Sequence, residues 1–129
     1  MTLPPATRAA PLLSAQGLSV AYGQTHILDS VDFAIRPKEI VTVIGPNGSG
    51  KTTMFNLVTG FYRPDGGAVY FRGEDITGFK QYQVVRRGLA RTFQNLRLFP
   101  SLSVRENVAL TALVAARHRA HRTRPDVDV

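Results

Sequence analysis

Apolar and polar residues alternate in two early stretches, Leu18 to Tyr22 and Ile27 to Ile35, and the second sets Val31, Phe33 and Ile35 against Asp32 and Ala34. A period of two puts one set of side chains on one face of a strand, so the pattern predicts a half-buried antiparallel pair turned at Gly23 and Gln24. Arg36-Pro37-Lys38 follows as a tight connection, because proline fixes φ and removes a ladder donor. The pattern then changes. Glu39-Ile40-Val41-Thr42-Val43-Ile44 is a nearly continuous β-branched run, as expected of a parallel strand buried on both faces.

Beyond residue 50 the period lengthens. Met54, Phe55, Leu57 and Val58 predict a helix that Gly60 ends. Pro64-Asp65-Gly66-Gly67 turns the chain into a strand over Ala68-Val69-Tyr70-Phe71, and Arg72-Gly73-Glu74-Asp75 turns it again. Lys80 to Arg87 suits a short helix with Tyr82, Val84 and Val85 on its apolar side; Gly88 ends it, and Leu89 to Phe93 reads as a further strand. Ser103 with Glu106 three residues later is a capping-box arrangement, opening a last helix through Val108, Leu110 and Leu113 to about Arg117. The expected organisation is a disordered leader over 1–14, one folded region over 15–117 and a basic, disordered tail over 118–129 with no apolar periodicity. The leader contains Pro4, Pro5 and Pro11 and no apolar core of a secretion signal.

Composition narrows the classes. At 129 residues and 43% hydrophobic content the chain is at most one ordinary globular domain. Its longest apolar stretch, Val108 to Ala116, is far short of the roughly 18 residues a bilayer needs, and Thr111 interrupts it. Zero cysteines exclude disulfide and thiol chemistry and suit a reducing cytoplasm. The net charge of +7 is spread along the chain, with density only at Arg86-Arg87 and at Arg117, Arg119, Arg122 and Arg124, so no nucleic-acid face is evident.

The most specific chemistry lies in Gly45 to Thr52, GPNGSGKT, which fits the phosphate-cradling pattern GxxxxGK[ST] at every fixed position. Glycines at 45, 48 and 50 let successive N–H groups turn inward onto phosphate oxygens. Lys51 brings a full positive charge to the β and γ phosphates, the Thr52 hydroxyl is placed to ligate Mg²⁺, and the helix that begins here adds the positive end of its dipole. All of these groups favour one ligand class, a nucleoside triphosphate with its metal.

With the P-loop in place, two further residues gain meaning. Taken singly, Tyr22 in SVAYGQTHIL is a packed aromatic at a strand end, and Gln94 in GLARTFQNLRLFPSLSVREN is a loop glutamine. Together with the P-loop they make the chain resemble the N-terminal half of an ABC transporter ATP-binding subunit, over roughly Leu18 to Arg117. The wording VTVIGPNGSGKTTMFNLVTGFYRPDGG and RTFQNLRLFPSLSVRENV is similar to the ATP-binding subunits of branched-chain amino acid uptake systems.

That resemblance implies an α/β fold: a P-loop NTPase-type core with an N-terminal antiparallel β subdomain, incomplete here. It implies that Tyr22 stacks on adenine, and that Gly45, Pro46, Asn47, Gly48, Ser49, Gly50, Lys51, Thr52 and Thr53 hold ATP. Thr52 and Gln94 would serve the Mg²⁺ and attacking-water region. Leu98 and Phe99 would help receive a transmembrane permease subunit, and a second ATP-binding subunit would pair with this one. The expected location is cytoplasmic, peripheral on the inner face of the cell membrane, with no nucleic acid as partner.

Some of the family's parts do not occur in the sequence. No LSGGQ-type signature is present, nor four apolar residues followed by Asp-Glu, the Walker B strand. Glu74-Asp75 sits in a turn context, and His118 and His121 read as solvated tail residues rather than a switch histidine. The expectation is therefore binding of Mg-ATP without hydrolysis at a useful rate, and apolar surface left open where the covering elements would be. The alternatives are another P-loop enzyme, a kinase or GTPase, for which no guanine or acceptor motif is found, and a basic non-enzymatic module acting through the arginine-rich end.

Overall fold

The structure is a computed structural model and describes residues 10–93, 95 and 97–122, with side chains in the last helix described up to residue 117. The chain divides into two compact units, Met1–Ala90 and Arg91–Val129.

The first unit is built on an antiparallel sheet. Strand β1 (Leu13–Tyr22) pairs with β2 (Thr25–Ile35) on one side and β3 (Gly66–Phe71) on the other, and β3 pairs with the short β4 (Glu74–Asp75), giving the order β2-β1-β3-β4. The predicted turn at Gly23 and Gln24 closes the first hairpin, with Tyr22 opposite Thr25. Asp65 anchors the second predicted turn to β1: its N–H donates to Ser19 O at 2.9 Å and its Oδ2 accepts from Ala21 N at 2.8 Å.

One face of this sheet carries the core. Leu13, Ala15, Leu18, Val20, Leu28, Val69 and Phe71 are buried together with Met54, Leu57 and Val58 of helix α1 (Lys51–Val58) and Val84 of helix α2 (Gln81–Arg86). Leu18 is fully enclosed at 0% exposure, and burying such a side chain contributes about 1.5–3 kcal/mol. Helix α1 stops where Gly60 predicts: Phe61 N–H reaches back to Asn56 O at 2.8 Å and closes the last turn. Arg87 ties α2 to β4, with Nε and Nη2 donating to both carboxylate oxygens of Glu74 at 2.8 and 2.6 Å while its guanidinium lies 4.4 Å from the Phe79 ring centroid.

The second unit contains helix α3 (Val104–Arg122). The expected capping box forms: Glu106 Oε2 accepts from Ser103 N and Oγ, both at 2.7 Å, and Glu106 N–H donates to Ser103 Oγ at 3.3 Å. Asn107 binds the preceding loop to the helix, accepting from Phe99 N at 2.9 Å and donating to the carbonyls of Phe99, Leu102 and Ser103. Among the described residues no helix is long and apolar enough to cross a membrane.

Several sequence expectations are corrected. The run Ile40 to Ile44 is not a buried strand; it is unpaired, with Ile40 94% and Ile44 90% exposed. A strand needs a neighbour to take its N–H and C=O groups, and no described segment lies alongside this one. Leu89 to Phe93 likewise forms no strand, for the same want of a ladder partner. Glu74-Asp75, read as turn, pairs with Phe71 and Tyr70 as β4. Strand β1 begins at Leu13, two residues inside the stretch expected as leader, because Leu13 is buried against the core and pairs with Ile35 and Phe71. Helix α3 continues to Arg122, five residues into the stretch expected as tail.

Candidate functional site

The phosphate loop hangs between the unpaired run and α1. It is organised by its own lysine. Lys51 Nζ folds back over the loop, donating to Gly45 O and Pro46 O at 2.6 Å each and to Ser49 Oγ at 3.4 Å. An ammonium has three donors and no acceptor, so these bonds use its full capacity on two carbonyls and a hydroxyl. Ser49 N–H closes a tight turn onto Pro46 O at 3.3 Å. A Cβ at position 45 would lie 2.6 Å from Ser49 Oγ, so a side chain there would turn the Ser49 hydroxyl aside.

Helix α1 presents unspent donors to this loop. Its first engaged amide is that of Met54, bonded to Gly50 O at 2.8 Å; the amides of Lys51, Thr52 and Thr53 find no acceptor among the described residues. Gly50 at the N-cap has φ +87 and no side-chain cap, leaving the helix end open to an external anion. Thr52 is exposed and its hydroxyl makes no hydrogen bond among the described residues. Three free amides, an ammonium and a free hydroxyl suit a polyphosphate accompanied by a hard divalent cation. Asn47 and Gly48 lie exposed at the loop's tip.

Sheet and loop meet at Gly50. A Cβ there would stand 2.8 Å from Leu28 Cδ2 and 3.0 Å from Ile27 O, so β2 rests directly on the start of α1. This contact locates Tyr22. Along β1, Leu18, Val20 and Tyr22 share a face by the period of two, and Val20 stands opposite Leu28. Tyr22, 56% exposed, thus continues the row that touches the phosphate loop, where a ring is available for stacking. The sequence marked Tyr22 as a strand-end aromatic; it carried no signal that Ile27 and Leu28 support Gly50, because that contact joins residues far apart in the chain.

Against the geometry stands the family comparison: a model of the ABC transporter family matches residues 28–128. The chain belongs to the ABC transporter family. Among curated proteins it is 43% identical over 113 residues to the high-affinity branched-chain amino acid transport ATP-binding protein LivG of Escherichia coli strain K12, covering 88% of this chain and 42% of that protein. It is 42% identical over 109 residues to the corresponding protein BraF of Pseudomonas aeruginosa, covering 84% of this chain and 41% of that protein. A solved ATP-binding cassette of an ABC transporter superposes with a TM-score of 0.66 at 35% identity, over 69% of this chain and 35% of the other. The chain thus spans about two fifths of the length of the curated relatives it matches, and the incomplete P-loop core inferred from sequence is the fold these ABC ATPase domains share.

The remaining predicted groups fall elsewhere. Gln94 lies outside the described residues, and the side chains of His118 and His121, on α3, do as well. Leu98 and Phe99 are 63% and 56% exposed in the second unit. Glu74 and Asp75 are spent on structure. The Arg87 guanidinium holds the Glu74 carboxyl below its usual range, and hydrogen bonds from the Thr77 hydroxyl and amide do the same for Asp75. Hydrogen bonds from Ser103 likewise hold Glu106 low. Among the described residues no cluster of His, Asp or Glu could hold a metal by itself.

Proposed function

We propose that this chain is the nucleotide-binding part of the energy-coupling subunit of an ABC importer, with branched-chain amino acids as the solute class. The observation that carries this reading is the loop itself: Lys51 folded over Gly45 and Pro46, beside three amides and a hydroxyl without partners. Gly45, Pro46, Asn47, Gly48, Ser49, Gly50, Lys51, Thr52 and Thr53 form the triphosphate cradle, with Thr52 and Gln94 as metal contacts and Tyr22 as the platform for adenine. Lys51 exchanges carbonyl partners for phosphate oxygens when nucleotide arrives, and the loop amides orient the triphosphate. The solute class is supported by the names of the LivG and BraF relatives. Leu98 and Phe99 are available to meet a membrane-embedded permease, a second ATP-binding subunit completes the pair, and the site of action is the inner face of the cell membrane.

Equilibrium titration of the chain with Mg-ATP tests this. Lys51→Ala is expected to weaken binding at least tenfold, in line with loss of a charge-assisted bond worth about 1.5–3 kcal/mol. Equal affinity of the two proteins for Mg-ATP would refute the assignment.

A further inference from the structure

The end of the first hairpin holds a second polar group on the nucleotide side of the sheet. Thr25 is the direct partner of Tyr22 across the β1–β2 turn, so both side chains stand on one face. Their pair follows the buried pair Val20 and Leu28 on that face, because Ile27 is the extra residue of a bulge: Val20 faces Leu28 while Ala21 already faces His26. Leu28 and Ile27 rest on Gly50. The two pairs are two residues apart along β1, which is roughly 7 Å of strand.

The order of strands then separates the two side chains. Strand β2 is the sheet's edge and the strand that touches the phosphate loop, whereas β1 lies one strand further in. Thr25 thus sits beside Tyr22 on the strand whose Ile27 and Leu28 touch the cradle at Gly50. Thr25 is exposed, and its hydroxyl makes no hydrogen bond among the described residues. A group beside the platform for a base, on the strand that reaches the cradle for its phosphates, is placed to meet the sugar that joins them. A hydroxyl, both donor and acceptor, matches a sugar hydroxyl.

We propose that Thr25 is a further nucleotide contact, hydrogen-bonding a ribose hydroxyl of ATP between the Tyr22 platform and the phosphate loop. The inference rests on the reading of that loop as an ATP site. It assigns Thr25 to sugar recognition and leaves the phosphates to the loop, so the two contributions separate experimentally.

The test is equilibrium binding of ATP, 2′-deoxy-ATP, 3′-deoxy-ATP and inorganic triphosphate, each with Mg²⁺, to the 129-residue chain and to Thr25→Val, Thr25→Ser and Lys51→Ala. Valine keeps the β-branched shape of an exposed strand residue, and circular dichroism checks that the fold is retained. Thr25→Val is expected to lose about fivefold in ATP affinity, the worth of one neutral hydrogen bond, with triphosphate affinity unchanged. The unsubstituted chain should lose a similar factor for one of the two deoxynucleotides, Thr25→Val should lose nothing further on it, and Thr25→Ser should behave as threonine does. Unchanged ATP affinity in Thr25→Val, or an equal loss for ATP and both deoxynucleotides, overturns the proposal while leaving the phosphate site standing. If Lys51→Ala binds ATP and triphosphate as the parent does, the phosphate site itself is wrong and the proposal falls with it.

Discussion

Strand β1 and the run 39–46 meet opposite fates, and not in the order their compositions favour. Leu18 and Val20 of β1 are 0% and 5% exposed; they pair with Val31 and Leu28 of β2, and Ser19 between them pairs with Gly66 of β3. Ile40 and Ile44 are 94% and 90% exposed on a segment that has the β-branched composition of an interior strand and no ladder at all. Intrinsic preference for the extended state even favours the run, with five β-branched residues in succession against the single Val20 of β1. What differs is the neighbour. A strand is a shared structure, and its burial is a property of what lies beside it.

The largest effect expected from this contrast is a stability difference. Leu18→Ala should cost about 2–5 kcal/mol, a buried leucine replaced by a cavity, whereas Ile40→Ala should stay within about 0.5 kcal/mol, as exposed substitutions do. Urea midpoints of the two variants measure it. Similar costs would mean that the run 39–46 is packed in solution.

A smaller effect probes the seam between the two regions. Gly50 holds φ +87 against Ile27 O and Leu28 Cδ2, so Gly50→Ala should destabilise by about 1–2 kcal/mol for the left-handed backbone alone. Thermal unfolding reports it. No shift in midpoint would show that the phosphate loop does not lean on β2.

The smallest expected effect is acid sensitivity. Glu74, Asp75 and Glu106 have carboxyls held below their usual values by hydrogen bonds that exist only in the folded chain. A folded value lower than the unfolded one adds stability above the unfolded value, and that stability is lost as pH falls through the folded one. For Glu74 the loss therefore begins near the usual 4.5 and completes below it. Chemical denaturation from about pH 7 to about pH 3 should show a flat plateau and then a decline, and Glu74→Gln should flatten part of that decline.

The candidate site was legible in sequence to the extent that its chemistry is contiguous. Gly45 to Thr52 could be read from sequence because every fixed position of the pattern lies within eight consecutive residues, and the bonds of Lys51 to Gly45, Pro46 and Ser49 show how closely that segment folds on itself. The Ser103 and Glu106 capping box was readable for the same reason. Tyr22 needed a resemblance to be noticed. Thr25 went unnoticed, since its position depends on the bulge at Ile27 and on which strand touches the loop.

By itself, then, the sequence determined the glycine-rich loop before α1, the first hairpin, the helix ends at Gly60 and Ser103 and the family to which the chain belongs. These rest on short-range geometry: turns, caps and the period of apolar residues act over a few residues at a time. Tertiary structure alone decided that β1 is the central partner of β2 and β3, that Glu74-Asp75 is a strand held by Arg87, and that Ile40 to Ile44 stays unpaired. Hydrogen-bond ladders and burial need a second segment in place, and a residue pattern specifies its own face but not the surface that will cover it.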